Sequence, residues 1–380
     1  MRSVRRGLTA VAVGLVLAAC GNGGSSSPAD TGSGGSVSPP HIIDSTPATL
    51  EPTPSESQDG SAEHPLATEP TTALLDWRSV KGSTNALVTT GDGWTLTIVP
   101  GAREAVLRGP RPLTVRAVAG FSITDAFLSD THALVVQEDR QASRADRAVL
   151  VDLASGRQTT LDGRSDPPTV VGGTWALGPK TLLHATSGDQ RRYCLATVDL
   201  ADGSGSTGWC AEPRHGFRGA VLTDSGTSML TFDDHHPSCR TVVQVSGSDL
   251  TPFPGVPECK GWDGAILDGT TVWSVVRNEH RIESARFYAH TDAGWYDLGP
   301  GTTGSLVTCA GNAYFTRDPA GRGDPATVMR WSPADHILSV AYESKATGHA
   351  FLSPLRCGGT HLTVTAYSQA GDEQVTASLG

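Results

Sequence analysis

Ala265-Ile266-Leu267-Asp268-Gly269-Thr270-Thr271-Val272-Trp273 reads as two apolar strands folded about a two-residue turn, because Asp-Gly supplies the positive φ angles that a tight hairpin needs. The same arrangement recurs at Gly91-Asp92-Gly93, Asp130-Thr131, Gly178-Pro179-Lys180, Asp224-Ser225-Gly226, Ala310-Gly311-Asn312 and Gly358-Gly359, entered and left by residues such as Leu222 and Leu362. Between Gly93, Thr131, Pro179, Gly226, Gly269, Gly311 and Gly359 the steps are 38, 48, 47, 43, 42 and 48 residues, the length of a four-stranded propeller blade. A second turn series lies between these, at 152–156, 199–203, 246–249, 292–294 and 332–335, where a blade's outer hairpin belongs. From Asp76 onward no stretch of a dozen residues keeps a helical period. The expectation is an all-β fold, a seven-bladed β-propeller over residues 76–380, with six or eight blades as alternatives and the segment from Ala73 to Val80 completing the last blade.

Upstream of that body the chemistry changes twice. Arg2, Arg5 and Arg6 precede an apolar run from Gly7 to Leu17 that is too short to span a bilayer, and Leu17-Ala18-Ala19-Cys20 follows. This is the pattern of a lipoprotein signal peptide over residues 1–19, with Cys20 as the lipidated residue and the lipid as the attachment to the cell membrane. Residues 20–75 are Ser, Gly, Pro, Thr and acid, with seven carboxylates and no Lys or Arg. Such a segment cannot bury enough apolar surface to offset its entropy, and as a flexible linker it would span on the order of 40 Å.

The whole chain has 29 basic and 39 acidic residues; without the three arginines of residues 1–19 the balance is 26 against 39, or −13. That charge repels phosphate backbones and argues against nucleic acid as a partner. Seven cysteines become six once Cys20 carries lipid, an even number that suits disulfides in an oxidising compartment. Cys194 with Cys210 and Cys239 with Cys259 are expected to open the third strand and end the fourth within one blade. Cys309 and Cys357 each close an innermost strand, where a bridge would join two neighbouring blades.

The lipobox, the acidic Ser/Pro linker and repeats ending in turns such as Asp199-Leu200-Ala201-Asp202-Gly203 resemble secreted β-propeller lipoproteins of high-GC Gram-positive bacteria. That resemblance implies a fold and an extracytoplasmic, cell-surface location, and it brings no catalytic residues with it.

Catalytic signatures are sparse. Gly203-Ser204-Gly205-Ser206-Thr207-Gly208 matches a phosphate-binding spacing but sits in a hairpin with no helix behind it. The Asp224–Met229 turn lacks the Ser and Trp of a sialidase-type Asp box, and Arg322-Gly323-Asp324 is an adhesion tripeptide of chance composition. On the face built from the loops between second and third strands and between blades, the pattern gathers Arg214-His215 with Arg218, Asp233-Asp234-His235-His236, Trp262-Asp263, and Arg277 with Glu279, His280 and Arg281. Carboxylates beside imidazoles could hold a cation or move protons, yet adjacent residues of a strand point opposite ways and a solvated polar loop is the favoured reading, so no metal or cofactor is assigned. Arg214, His215, Trp262, Asp263 and His280 are taken as the candidate ligand-binding set, Trp262 either offering its ring to a sugar or peptide or packing between blades. The expected role is a non-enzymatic binding or scaffold module for an extracellular protein, peptide or glycan. The alternative is an extracytoplasmic hydrolase or lyase with its site in the propeller funnel.

Overall fold

The computed structural model describes residues 65–233, 235–278, 280–345 and 350–380; the signal peptide, Cys20 and nearly all of the expected linker lie outside them. The described residues form β-strands with one short 3-10 turn at Asp189–Arg191. Each of the inner turns read from the sequence falls between two antiparallel partners.

The strands make six sheets. Sheet I runs from Leu87–Gly91 to Leu113–Arg116, sheet III from Trp175–Leu177 to Gly205–Cys210, and sheet IV from His215–Thr223 to Asp249–Pro252. Sheet V runs from Gly261–Leu267 to Gly294–Thr302, and sheet VI from Val307–Cys309 to Ile337–Glu343. These five are separate blades of a β-propeller. Sheet II departs from seven separate blades: its nine strands join Phe121–Leu128 through Gln158–Leu161 to Arg356–Gly358 through Glu373–Ser378, by a single parallel pair between Gly358 and Leu128. Glycine at 358 also lets this junction lie against sheet I, since a Cβ there would lie 2.9 Å from the Thr90 carbonyl carbon and closer still to its oxygen.

Blades stack face to face, so their middle strands are apolar on both sides and read as runs rather than alternations. In His132–Asp139, Leu134 and Val136 pack with Leu182 and Val198 of sheet III, while Ala133 and Val135 face the cluster shared with sheet I. Each further cluster lies between successive sheets, as where Phe287 of sheet V stacks on Phe315 of sheet VI at 4.1 Å between ring centroids. The core is therefore distributed around the ring.

The N-terminal segment enters this architecture upstream of Asp76. Leu66–Ala67 adds a parallel fifth strand to sheet V, Thr71–Thr72 does the same to sheet VI, and Arg78–Ser79 pairs antiparallel with Glu373–Ser378. The segment thus crosses three outer edges in order. Trp77 fixes it by donating from Nε1 to the Ala341 carbonyl at 2.7 Å and by standing edge-on to Tyr342.

Three disulfides form, Cys194–Cys210, Cys239–Cys259 and Cys309–Cys357. Cys194 and Cys210 face each other across the third and fourth strands of sheet III. Cys259 is the exception to the expected register: it lies in the connection after Asp249–Pro252, not at the end of a fourth strand. Cys309–Cys357 joins the first strand of sheet VI to the first strand of the last half-sheet, 48 residues apart, a loop for which the chain-entropy account gives about 4 kcal/mol.

Candidate functional site

The residues gathered on the loop face separate into three places. Arg214 and His215 are exposed at the start of sheet IV, with His215 opposite Asp233 in the ladder. Asp233 accepts from the His235 backbone N–H at 2.8 Å and contacts its Nδ1 at 3.1 Å, and these contacts, the backbone bond foremost, hold its carboxyl below the usual range. His280 stands in the exposed loop after sheet V's second strand, its N–H bonded to Asn278 Oδ1 at 2.9 Å. Among the described residues it shares no hydrogen bond or ring contact with Trp262 or His215. Asp234 and Glu279 lie outside the described residues.

Trp262 is half-buried, packed on the cluster between sheets V and VI, and its ring lies 4.3 Å from the Arg240 guanidinium and 5.1 Å from that of Arg218. Cations over the ring occupy a surface that a sugar would otherwise use. The accompanying hollow, lined by Arg240, Lys260, Val276 and Ile282 among others, encloses only about 160 Å³.

Asp263 beside it is a structural tie. Its Oδ2 accepts from Ser274 Oγ at 2.7 Å and from the Gly304 backbone N–H at 3.0 Å, linking sheet V to the start of sheet VI. Burial of the carboxylate pushes its pKa up to about 6, despite those two donors and the nearby charge of Arg218. A folded pKa above the unfolded 3.8 means that the unfolded chain releases this proton first, so the charged form weakens folding as pH rises from about 4 through 6. Asp263→Asn keeps an acceptor for both donors. It should raise the melting temperature at pH 7.5 while leaving it nearly unchanged at pH 4.5, and equal shifts at the two pH values would refute the buried-charge explanation.

The larger concavity lies at the other end of the first strands. A central cavity of about 670 Å³ runs from Asp125 and Ala176 within their strands, and Leu306 and Leu355 just before theirs, to the inner turns that carry Asp130, Asp224 and Asp268. Sequence reasoning named a funnel for its alternative but not these lining residues, because the wall comes from short stretches far apart in the chain, as with Thr89 and Arg356, which are 267 positions apart. Leu128, Leu177, Leu222, Leu267 and Val307 give the wall apolar patches, and Thr131, Thr223, Ser225 and Thr308 stand among them, so the wall is of mixed polarity. Its one guanidinium, Arg356, donates from Nε to Thr89 Oγ1 at 2.8 Å and from Nη2 to Asp125 Oδ1 at 3.0 Å and to the Ala126 carbonyl. Arg356 thereby ties the last half-sheet to sheet I and to the first half of sheet II. The Cys309–Cys357 bridge also lies in this wall.

No protein-family model matches the sequence, and no curated protein is similar to it. Solved structures match in shape. The β-propeller domain of the Trilobed protease from Pyrococcus furiosus, described as having an open velcro topology, superposes with a TM-score of 0.50 at 10% identity, over 77% of this chain and 95% of that one. Prolyl oligopeptidase B from Galerina marginata superposes at 0.50 with 11% identity, over 78% of this chain and 50% of that one. At such identities the likeness is one of fold: this chain is similar to known β-propellers.

Proposed function

We propose that this chain is a cell-surface lipoprotein, anchored through lipid on Cys20, whose propeller is a non-enzymatic binding module with its ligand seated in the central cavity. The ring has seven blades in this reading. The two halves of sheet II share only the Gly358–Leu128 pair, and the cavity wall draws residues from seven first strands, Thr89, Asp125, Ala176, Leu222, Leu267, Thr308 and Arg356 among them. The carrying observation is the cavity: its volume suits a small molecule or the end of a chain, leucines from four strands give its wall apolar patches, and its guanidinium is already bonded to protein acceptors. A ligand there is held by shape and desolvation.

The alternative, a hydrolase or lyase, draws on one contact at the mouth. Thr131 Oγ1 lies 2.9 Å from His132 Nδ1, and Asp152 faces His132 in the ladder. Asp152 spends Oδ1 on the N–H groups of Ala154 and Ser155, and Thr131 and His132 are sequence neighbours in one turn, so this contact is the smaller claim.

Two measurements test the proposal. Cys20→Ala should move the protein from the detergent-soluble membrane fraction to the medium, and retention would sink the anchoring. N-phenyl-1-naphthylamine, a neutral apolar dye, should bind the purified domain saturably, and Leu222→Trp with Leu177→Trp should fill the cavity and abolish that binding. A dye that does not bind, or that binds the filled variant equally well, would remove the cavity as the site.

A further inference from the structure

Several outer-turn aspartates serve the turns that hold them: Asp152 Oδ1 accepts from the N–H groups of Ala154 and Ser155, Asp199 Oδ1 from that of Ala201, and Asp202 Oδ1 from that of Ser204. Local carboxylate-to-backbone bonding of this sort is why Asp is favoured in turns. Asp130, Asp224 and Asp268 of the inner turns do nothing comparable. Among the described residues their side chains make no hydrogen bond and no ion pair, although all three line the cavity mouth. The turn at Asp268 is held instead by its own backbone, whose N–H donates to Ser225 Oγ at 2.7 Å.

The protein also makes room for one of these carboxylates. A Cβ on Gly359, which has a φ of +62°, would lie 2.7 Å from the Asp130 Cγ and would collide with its Oδ1, so a bare glycine of the last half-sheet accommodates the Asp130 carboxylate at the mouth. Toward the other end of the strands two acids are paired with arginines: Asp139 with Arg144 at 2.6 Å and Asp162 with Arg147 at 3.4 Å. Of the inner turns' charged side chains only Lys180 is basic, and it is not among the cavity-lining residues. Arg356, deeper in the wall, has its donors committed to Thr89, Asp125 and Ala126.

A chamber with leucine patches in its wall, one committed guanidinium and three uncommitted carboxylates at its entrance has a definite preference. We propose that the cavity takes a cation carried on an apolar body, such as an alkyl or aryl ammonium or the lysine-bearing end of a peptide, with the apolar part inside and the positive charge among Asp130, Asp224 and Asp268. This inference rests on the cavity being the binding site and adds the class of ligand it selects. The interaction is additive and screened: a charge about 7 Å from one carboxylate in nearly aqueous surroundings gains roughly a factor of two to three in affinity, and three carboxylates give about tenfold at low salt.

The test compares three dyes on the purified domain: dansylcadaverine, which is cationic, dansylglycine, which is anionic, and N-phenyl-1-naphthylamine. Dansylcadaverine should bind more than tenfold more tightly than dansylglycine at 20 mM salt, since the same carboxylates repel the anion, and most of that difference should vanish at 500 mM. Asp224→Asn with Asp268→Asn should weaken dansylcadaverine several-fold and leave the neutral dye unchanged, which also shows that the variant is folded. Equal affinity for the two charged dyes, or a variant that binds dansylcadaverine as well as wild type does, overturns the cation preference while the cavity reading stands. If the neutral dye fails to bind wild type at all, it is the cavity reading that has failed, and the inference falls with it.

Discussion

Gly358→Val should prevent the propeller from closing properly, and it is the substitution of one residue with the largest expected cost. Gly358 is buried where the last half-sheet meets both Leu128 and the first strand of sheet I. A Cβ there would meet the Thr90 carbonyl and lie 3.1 Å from Thr89 Cγ2. The carbonyl is backbone inside a paired strand, so it has no rotamer by which to yield, and overpacking of this kind costs about 3 kcal/mol or more. The seam also holds Arg356, whose bonds to Thr89 and Asp125 span the same junction. A shifted strand would leave that guanidinium unsatisfied in the wall, adding to the loss. Thermal unfolding should show a drop of several degrees for valine and a smaller one for alanine. A melting temperature equal to wild type for both would mean that the seam is compliant and that closure does not depend on this contact.

What could be read from the chain follows from which signals are local. The inner turns were legible because Asp-Gly and Gly-Gly impose their backbone geometry wherever they occur, and their spacing carries the blade length with it. The Cys194–Cys210 pair was legible for the same reason, since a strand start and its antiparallel neighbour's end are fixed by hairpin connectivity, and Cys309–Cys357 because both precede inner turns. Cys259 escaped the register because the chain from Phe253 to Lys260 is a connection, closed by turn bonds such as Lys260 N–H to the Pro257 carbonyl, and its length has no periodic signal. The joining of two half-sheets through Leu128 and Gly358 was invisible, because the partners are 230 residues apart and a lone glycine before another reads as turn chemistry. Site residues fared by the same rule. Trp262 and Asp263 were singled out by type, but what they do depends on Arg218, Arg240, Ser274 and Gly304, which the fold supplies. The cavity mouth was missed although its aspartates were all noted, since each looked like an ordinary turn former until its side chain proved uncommitted.

The N-terminal strap shows most sharply how a weak local signal can carry a strong structural role, and removing residues 1–79 is expected to be the most damaging change to the described fold. Pairs of two residues, Leu66–Ala67 and Thr71–Thr72, are too short for alternation to register, and their neighbours are polar enough to read as linker. Yet Ala73 and Leu75 donate backbone N–H groups to Val340 and Ala341, and Leu75 and Trp77 pack on the cluster shared by sheet VI and the last half-sheet. Losing the partly buried Trp77 and Leu75 forfeits about 1.5–3 kcal/mol for each side chain, before the backbone bonds are counted. The sum, about 5 kcal/mol, is comparable with the whole stability of many domains. Truncation would also lengthen the bare edges of three sheets at once, at Tyr296–Asp297, Ser339–Val340 and Val375–Thr376, and longer unpaired edges recruit other chains. A chain beginning at Val80 should therefore be recovered largely as oligomer or aggregate by size-exclusion chromatography, whereas one beginning at Pro65 should elute as a folded monomer. Trp77→Ala separates the two contributions, since it keeps the ladders and removes the anchor: it should lower the melting temperature without oligomerisation. Monomeric, fully stable protein from the chain beginning at Val80 would show that the ring closes through its carboxy-terminal strands alone, with the strap as a passenger on its rim.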